Sequence, residues 1–298
     1  MTLGPAYLAY PRRRHGYDHD LYPWSAAHLR PPVQWPEGRP LAVMAVIKAE
    51  FFPLTPVDTP FRAPGHMQTA FPDYRHFTAR DYGSRVGIWR LLDAFRARGL
   101  AASVAMNVAL AERAPALLAA IRAEGHEIVA HSTDMNGTVD GSLPPEAEEA
   151  LVAETVARWA ALGERPQGWH AIARSQSFRT PDILVKHGFG FTLDWVNDDQ
   201  PWRFANGLWN LALNHELSDR QILNVCQASV DSYAEQIVDA ADCLAAEGGR
   251  VLALELTPYI IGLPYRIAAF EALLDHLAPR GWFAGPSAIL AHWRQQTA

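Results

Sequence analysis

Residues 41–47 read Leu-Ala-Val-Met-Ala-Val-Ile, and Lys48-Ala-Glu-Phe-Phe52 follows them. A strand that is apolar at every position is covered on both faces, the condition of a parallel sheet flanked by helices. Downstream, strand and helix signals alternate. Arg85 to Arg98 carries Val86, Trp89, Leu92 and Phe95 at helical spacing and stops at Gly99. Further strands are expected to begin near Ala102, Glu127, Gly168, Phe189, Leu208 and Val251. Helices are expected over 116–124, 145–162, 181–187, 233–246 and 267–277, with a last one ending near Trp293. Such alternation implies right-handed βαβ units. About seven of them in one α/β domain fit a closed or partly closed barrel better than a doubly wound sheet. Upstream, residues 1–40 are broken by Pro11, Pro23, Pro31, Pro32, Pro36 and Pro40. They read as an irregular arm packed on a barrel domain spanning 41–298, anchored by Tyr7, Tyr10, Tyr17, Tyr22 and Trp24. A second proline-rich loop runs from Phe52 to Asp73, and its Phe and Pro content predicts an ordered segment.

Composition narrows the function classes. Hydrophobic residues are 49% of the 298 and charged residues 19%, which excludes a disordered chain. A net charge of −6 gives no electrostatic footprint for nucleic acid. No apolar run reaches the ~18 residues of a membrane span. Arg12, Arg13 and Arg14 are not followed by an apolar stretch, so no secretory signal is expected. Cys226 and Cys243 fall in helical patterns and are expected in the core, consistent with a reducing, cytoplasmic compartment.

In a barrel the chemistry sits just past the C-terminal ends of the strands. Lys48 and Glu50 are two apart and share a face there, as do Glu255 and Thr257. Other exits give His131 with Asp134, Trp169-His170, Asp194-Trp195 with Asp198, and His215-Glu216. Paired carboxylates and imidazoles of this kind suit proton transfer, although clustered Asp and Asn also cap turns. No G-x-S-x-G elbow, phosphate loop or H-E-x-x-H is present.

Several longer stretches have a familiar look. They are Asp81-Tyr-Gly-Ser-Arg-Val-Gly-Ile-Trp-Arg-Leu-Leu-Asp93, Gly125-His-Glu-Ile-Val-Ala-His131, Arg165-Pro-Gln-Gly-Trp169 and Thr180-Pro-Asp-Ile-Leu184. Asp194-Trp-Val-Asn-Asp-Asp-Gln-Pro201 and Pro258-Tyr-Ile-Ile-Gly-Leu-Pro264 with Arg266 complete the set. On these residues the chain resembles the polysaccharide deacetylase superfamily (carbohydrate esterase family 4). It is most similar to the branch with metal-independent allantoinases and cyclic imide hydrolases. The resemblance implies a single distorted (β/α)7 barrel. It places Glu50 at the family's base position and Phe51 where a metal-binding Asp usually stands. The family's second imidazole ligand is replaced by Met135, its Arg by His170, and its general-acid His by Thr257. A lone imidazole does not hold zinc, which takes about three protein ligands in a catalytic site.

The expected function is hydrolysis of a C–N bond in a small cyclic amide, imide or ureide without a tightly bound metal. Glu50, His131 and His170 are the expected catalytic residues, with Glu50 as base and the two imidazoles as oxyanion donors. Lys48, Trp169, Asp194, Trp195, Asp198, His215, Glu216, Glu255, Thr257 and Arg266 are expected to contact substrate, the two Trp as apolar walls. No cofactor is expected; a Zn²⁺ site improvised from Glu50, Asp134 or His170 is the lesser alternative. A metal-free isomerase, lyase or cyclase in the same pocket, and a noncatalytic binding barrel, are the competing readings. The expected partners are a small-molecule substrate and further copies of the chain, with no nucleic acid and no membrane.

Overall fold

The computed structural model describes residues 19–54 and 74–297. The expected anchors Tyr7, Tyr10 and Tyr17, and positions 55–73 of the second proline-rich loop, lie outside the described residues. The strands are β1 Leu41–Ala49, β2 Ser103–Met106, β3 Glu127–Ala130, β4 Gly168–Trp169 and β5 Phe191–Thr192. They continue with β6 Trp202–Arg203, β7 Trp209–Asn210, β8 Arg250–Leu256 and β9 Gly281–Phe283. All seven expected strands are present, each within two residues of its expected start.

The sheet order is β6-β7-β5-β4-β3-β2-β1-β8, parallel except for the β6–β7 pair. The antiparallel β6 and the short β9 were not foreseen. β9 pairs with β1 at Leu41–Val43, ahead of β2, which pairs from Val46 onward. Thus β1 has a partner along both edges, which is why an unbroken apolar run suits it. Among the described residues β8 pairs only with β1. The sheet therefore curls into a barrel that backbone pairing leaves open between its two edge strands, β6 and β8. No helix among the described residues is long and apolar enough to cross a membrane.

Strand alternation divides the core. Leu41, Val43, Ala45 and Ile47 face the helices and pack with Ile88, Leu91, Phe95 and Leu274. Ala42, Met44 and Val46 face the barrel interior with Ala105, Val129, Phe191, Leu193 and Ala253. Trp35 closes that interior at the N-terminal end, where its Nε1 donates to the Arg250 carbonyl at 2.9 Å. Nearer the mouth, Tyr22 packs on Trp202 with ring centroids 4.3 Å apart. Trp24, expected as an anchor, is 63% exposed.

Two helical expectations need correction. The helix expected from Arg85 is preceded by the helix Tyr74–Tyr82 and a π-helical turn, Gly83–Gly87, before Ile88–Ala97. A π turn adds a residue and shifts the helical phase. The turn sets Val86 apart from the α-helix, whose buried stripe is Ile88, Leu91, Leu92 and Phe95, with Trp89 at its edge and 36% exposed. Cys226 and Cys243 are both exposed rather than in the core. Cys226 ends a π-helical turn, Arg220–Val225, and Cys243 lies on the outer side of the helix Val230–Glu247, whose buried stripe is Tyr233, Ile237 and Ala241.

Candidate active site

The inward series on β1 that begins with Ala42, Met44 and Val46 continues to Lys48 and then Glu50, just past the strand end. His131 follows β3 by one residue, His170 follows β4 by one, and Glu255 is the inward residue near the end of β8. All five are buried around one mouth. A cavity of about 450 Å³ opens there, within the size range of small-molecule sites. Lys48, Glu50, His170, Asp194, His215 and Glu255 line it, together with Met135, Arg174 and Arg220, while His131 stands behind this lining, beside Glu50 and stacked on His170.

Glu50 is the hub. Lys48 Nζ lies 3.4 Å from Glu50 Oε1, and Arg220 NH2 lies 3.3 Å from Oε2. Burial pushes the Glu50 carboxyl up, but Lys48 and Arg220 outweigh it and hold the carboxyl well below its usual range. Lys48 also meets Glu255 Oε1 at 2.6 Å, and Glu255 pairs through its other oxygen with Arg174. Burial, with Arg220 beside it, brings the Lys48 ammonium down to about 8. Arg220 is braced from behind by the Tyr259 hydroxyl at 2.5 Å.

The imidazoles stack, with centroids 4.9 Å apart and planes 10° from parallel. His131 Nδ1 lies 2.6 Å from the His170 carbonyl, and His170 Nδ1 lies 2.8 Å from Asp194 Oδ1. Both contacts are with acceptors, so each Nδ1 carries the proton and donates. In the neutral rings each Nε2 is then a lone pair. Asp194 is fixed by the Ala171 amide, the Thr192 hydroxyl and Gln176. Burial lowers His170 to about 4 despite this carboxylate. The His131 Nε2 is buried without a hydrogen-bond partner, 3.9 Å from Glu50 Oε1.

A pH dependence of stability follows. A histidine that titrates near 6.5 unfolded and about 4 folded binds its proton only in the unfolded chain between those values. Stability should therefore fall as pH drops from 6.5 to 4, by on the order of 3 kcal/mol from this residue. His170→Asn keeps a donor toward Asp194 but has nothing to titrate. Melting curves of the variant should lose that part of the acid limb, and an unchanged limb would assign the acid sensitivity elsewhere.

Six expected contacts fall outside the cavity. Trp169 is buried in the outer core against Phe189, at 5.4 Å, because it alternates with the inward Gly168 and His170. Trp195 packs against Phe204 at 5.2 Å and reaches the site only through Gln176, which accepts its Nε1 hydrogen at 2.9 Å. Asp198 forms a two-point ion pair with Arg30 and caps the Gln200 amide, so it ties down residues 25–31 and a turn. Glu216 is exposed on the turn after β7. Arg266 donates to the Ile260 carbonyl and stacks on Tyr265 in a neighbouring depression. Thr257 is buried one residue past β8, and its amide donates to Asp219 Oδ2 at 2.6 Å.

Arg174, Arg220 and Asp219 were missed. Arg174 sits in a tight turn after β4 in which Ala173 and Arg174 have φ of 54° and 56°. That left-handed backbone is uncommon away from glycine and turns the guanidinium back toward Glu255. Asp219 and Arg220 belong to the segment that enters the π-helical turn Arg220–Val225. Burial raises Asp219 to about 6 against the Thr257 amide and Lys48.

The donor set does not suit a tightly held divalent cation. Among the described residues no three His, Cys, Asp or Glu side chains are grouped to hold one. Two fixed cations, Lys48 and Arg220, already flank the Glu50 oxygens that a metal would need. Met135, a soft thioether, lines the cavity where a hard or borderline ion wants oxygen or imidazole.

No protein-family model matches the chain. The chain is 24% identical over 241 residues to a protein of Schizosaccharomyces pombe named "Putative polysaccharide deacetylase", covering 72% of this chain and 74% of that one. Its fold superimposes on the crystal structure of PuuE allantoinase with a TM-score of 0.81 at 23% identity, covering 94% of this chain and 98% of that one. A "probable polysaccharide deacetylase" from Pseudomonas aeruginosa PAO1 gives a TM-score of 0.77 at 23% identity, covering 89% and 94% of the two chains.

Proposed function

For a chain with the fold of the polysaccharide deacetylases and their allantoinase relative, we propose hydrolysis of a C–N bond in a small cyclic amide, imide or ureide, without a tightly bound metal. The observation that carries this reading is the buried, partnerless His131 Nε2 facing the ionised Glu50 at 3.9 Å. With His131 neutral, its Nε2 and the Glu50 carboxylate are two acceptors 3.9 Å apart, and a group that brings two protons joins them. Water does so, and its oxygen lone pairs then point at a carbonyl carbon in the cavity. His131 Nε2 takes the proton as water attacks, and the imidazolium that forms is neutralised by Glu50. The base is thus the imidazole, and Glu50 is its electrostatic partner; the expectation of two imidazole oxyanion donors gives way to two imidazole acceptors. The guanidiniums of Arg174 and Arg220, fixed in a low-dielectric wall, supply the charge that a metal would otherwise offer the oxyanion. A cavity of about 450 Å³ suits one ring better than a polymer groove.

The test is incubation with allantoin, hydantoin, dihydrouracil, succinimide and a chitin oligosaccharide, with and without a chelator, read by mass. A gain of one water on a ring substrate that persists under chelation supports the reading. Loss of acetyl from the oligosaccharide, chelator-sensitive turnover, or no turnover at all would overturn it.

A further inference from the structure

We propose that Lys48 is the general acid of this site, giving its proton to the nitrogen that leaves when the ring opens. The inference rests on the hydrolase reading above and assigns the second proton transfer that the reading requires. Water oxygen bonds to the carbonyl carbon and its proton passes to His131 Nε2. The C–N bond then breaks with its electron pair on nitrogen, and a Lys48 N–H supplies the proton that makes that nitrogen a neutral N–H. Lysine is left as the free amine and recovers a proton as His131 gives its own up.

Elimination over the cavity wall points to this residue. Arg174 and Arg220 are cations that do not release protons in the working range. Glu50 is held ionised by its two cations and has no proton to give. His170 has its only N–H committed to Asp194, whose carboxyl burial raises but the His170 and Thr192 contacts hold below its usual range, so it too has no proton to give. Glu255 is occupied as the acceptor of Lys48 and Arg174. Tyr259, behind the wall, is driven above its usual value by burial and already meets Arg220. His215, at the rim, is lowered by burial and by Arg174 and is neutral when the enzyme works. Met135, Ala173 and Val196 are apolar.

Lys48 alone on this wall combines a donatable proton with a matched acidity. An ammonium carries three N–H bonds. One goes to Glu255 at 2.6 Å and one faces Glu50 at 3.4 Å, which leaves the third for the cavity. Burial and the neighbouring Arg220 bring it down to about 8, where a proton donor is both charged near neutrality and ready to give. The carboxylates that face it are Glu50 and Glu255, with Asp219 beyond, and the cations are Arg174 and Arg220. Its backbone supports the aim as well. Ile47 is in register with Leu256, so Lys48 stands next to Thr257 across the β1–β8 ladder. Thr257 directs its amide to Asp219 and does not line the cavity, so the lysine has this part of the mouth to itself.

The experiment compares Lys48→Met and Lys48→Arg with the wild type on two probes: the ring amide opened in the panel above, and p-nitrophenyl acetate, whose phenolate leaves without a proton. Both variants should lose about 10²–10⁴-fold on the ring amide. On the ester they should lose no more than about tenfold. In the wild type kcat/KM on the ring amide should fall above a pH of about 8, and Lys48→Arg should lack that limb. Arginine keeps the charge and its partners, so it carries the test if Lys48→Met does not fold. Equal losses on both probes, or ring opening that survives in Lys48→Arg, would overturn the proposal while leaving the hydrolase reading intact. A wild type that opens no ring overturns both.

Discussion

Glu50→Gln is expected to lower kcat/KM by about 10²–10⁴-fold on any ring that the wild type opens, with the fold retained. Glutamine keeps the shape of the side chain and removes its charge. The imidazolium that forms on His131 then faces a neutral amide at 3.9 Å instead of a carboxylate, so the proton transfer loses its counterion. Glutamine has no group that ionises in the working range, so raising the pH should not rescue the variant. Stability should also fall, because Lys48 and Arg220 lose a buried partner. Breaking a buried pair outright costs about 3–5 kcal/mol. Here the loss should be smaller, since Lys48 keeps Glu255 and Arg220 keeps the Tyr259 hydroxyl. Rates measured well below the variant's melting temperature separate the two effects. A folded Gln variant within a factor of a few of wild type would remove Glu50 from the mechanism, and with it the charge support proposed for His131.

The parts of the site that sit on strands could be read from residue order, because alternation by two fixes direction. Lys48 and Glu50 extend the inward series of β1, and Glu255 belongs to the inward series of β8. The same rule places Trp169 outside, since it neighbours the inward His170; chemical appeal at a strand exit was a poorer guide than the pleat. Arg174 and Arg220 could not be read this way. One owes its aim to two consecutive positive-φ residues and the other to a π-helical turn, and neither has a period that a sequence displays. The arginines also change the chemistry that Glu50 suggests by itself. Burial alone would make it a raised, basic carboxylate, whereas two cations at 3.3–3.4 Å make it a permanent anion. Trp195 and Asp198 lie on the loop leaving β5, where ring packing with Phe204 and the Arg30 ion pair decide orientation. The π-helical turn Gly83–Gly87 likewise has no period that a sequence displays, and it sets Val86 apart from the stripe of the α-helix that follows.

That turn gives the largest expected effect on stability. Gly87→Ala would put a Cβ 2.1 Å from the Pro258 carbonyl oxygen and 2.8 Å from its carbon. The obstacle is backbone, which cannot swing aside as a side-chain tip can. Gly262 closes on the same carbonyl, where an added Cβ would stand 2.4 Å from it, so the segment has no free side to retreat to. Overpacking a tight core typically costs 1–3 kcal/mol and more where backbone must move. A loss of about 3 kcal/mol or more is expected, on the order of 5–10 °C in Tm for a chain of this size. Gly141→Ala serves as the control, because nothing lies within 4 Å of a Cβ there and the change should leave Tm within about a degree. Activity should fall beyond what unfolding explains. Any relief of the clash shifts Pro258 and with it Tyr259, whose hydroxyl holds Arg220 at 2.5 Å and through it the Glu50 carboxylate. Where Gly87→Ala remains folded, the acid–base limbs of its pH–rate profile should therefore move relative to wild type, while Gly141→Ala leaves them in place. A Gly87→Ala protein that melts and titrates like the control would mean that the turn has slack, and that Arg220 is not positioned from behind by this contact.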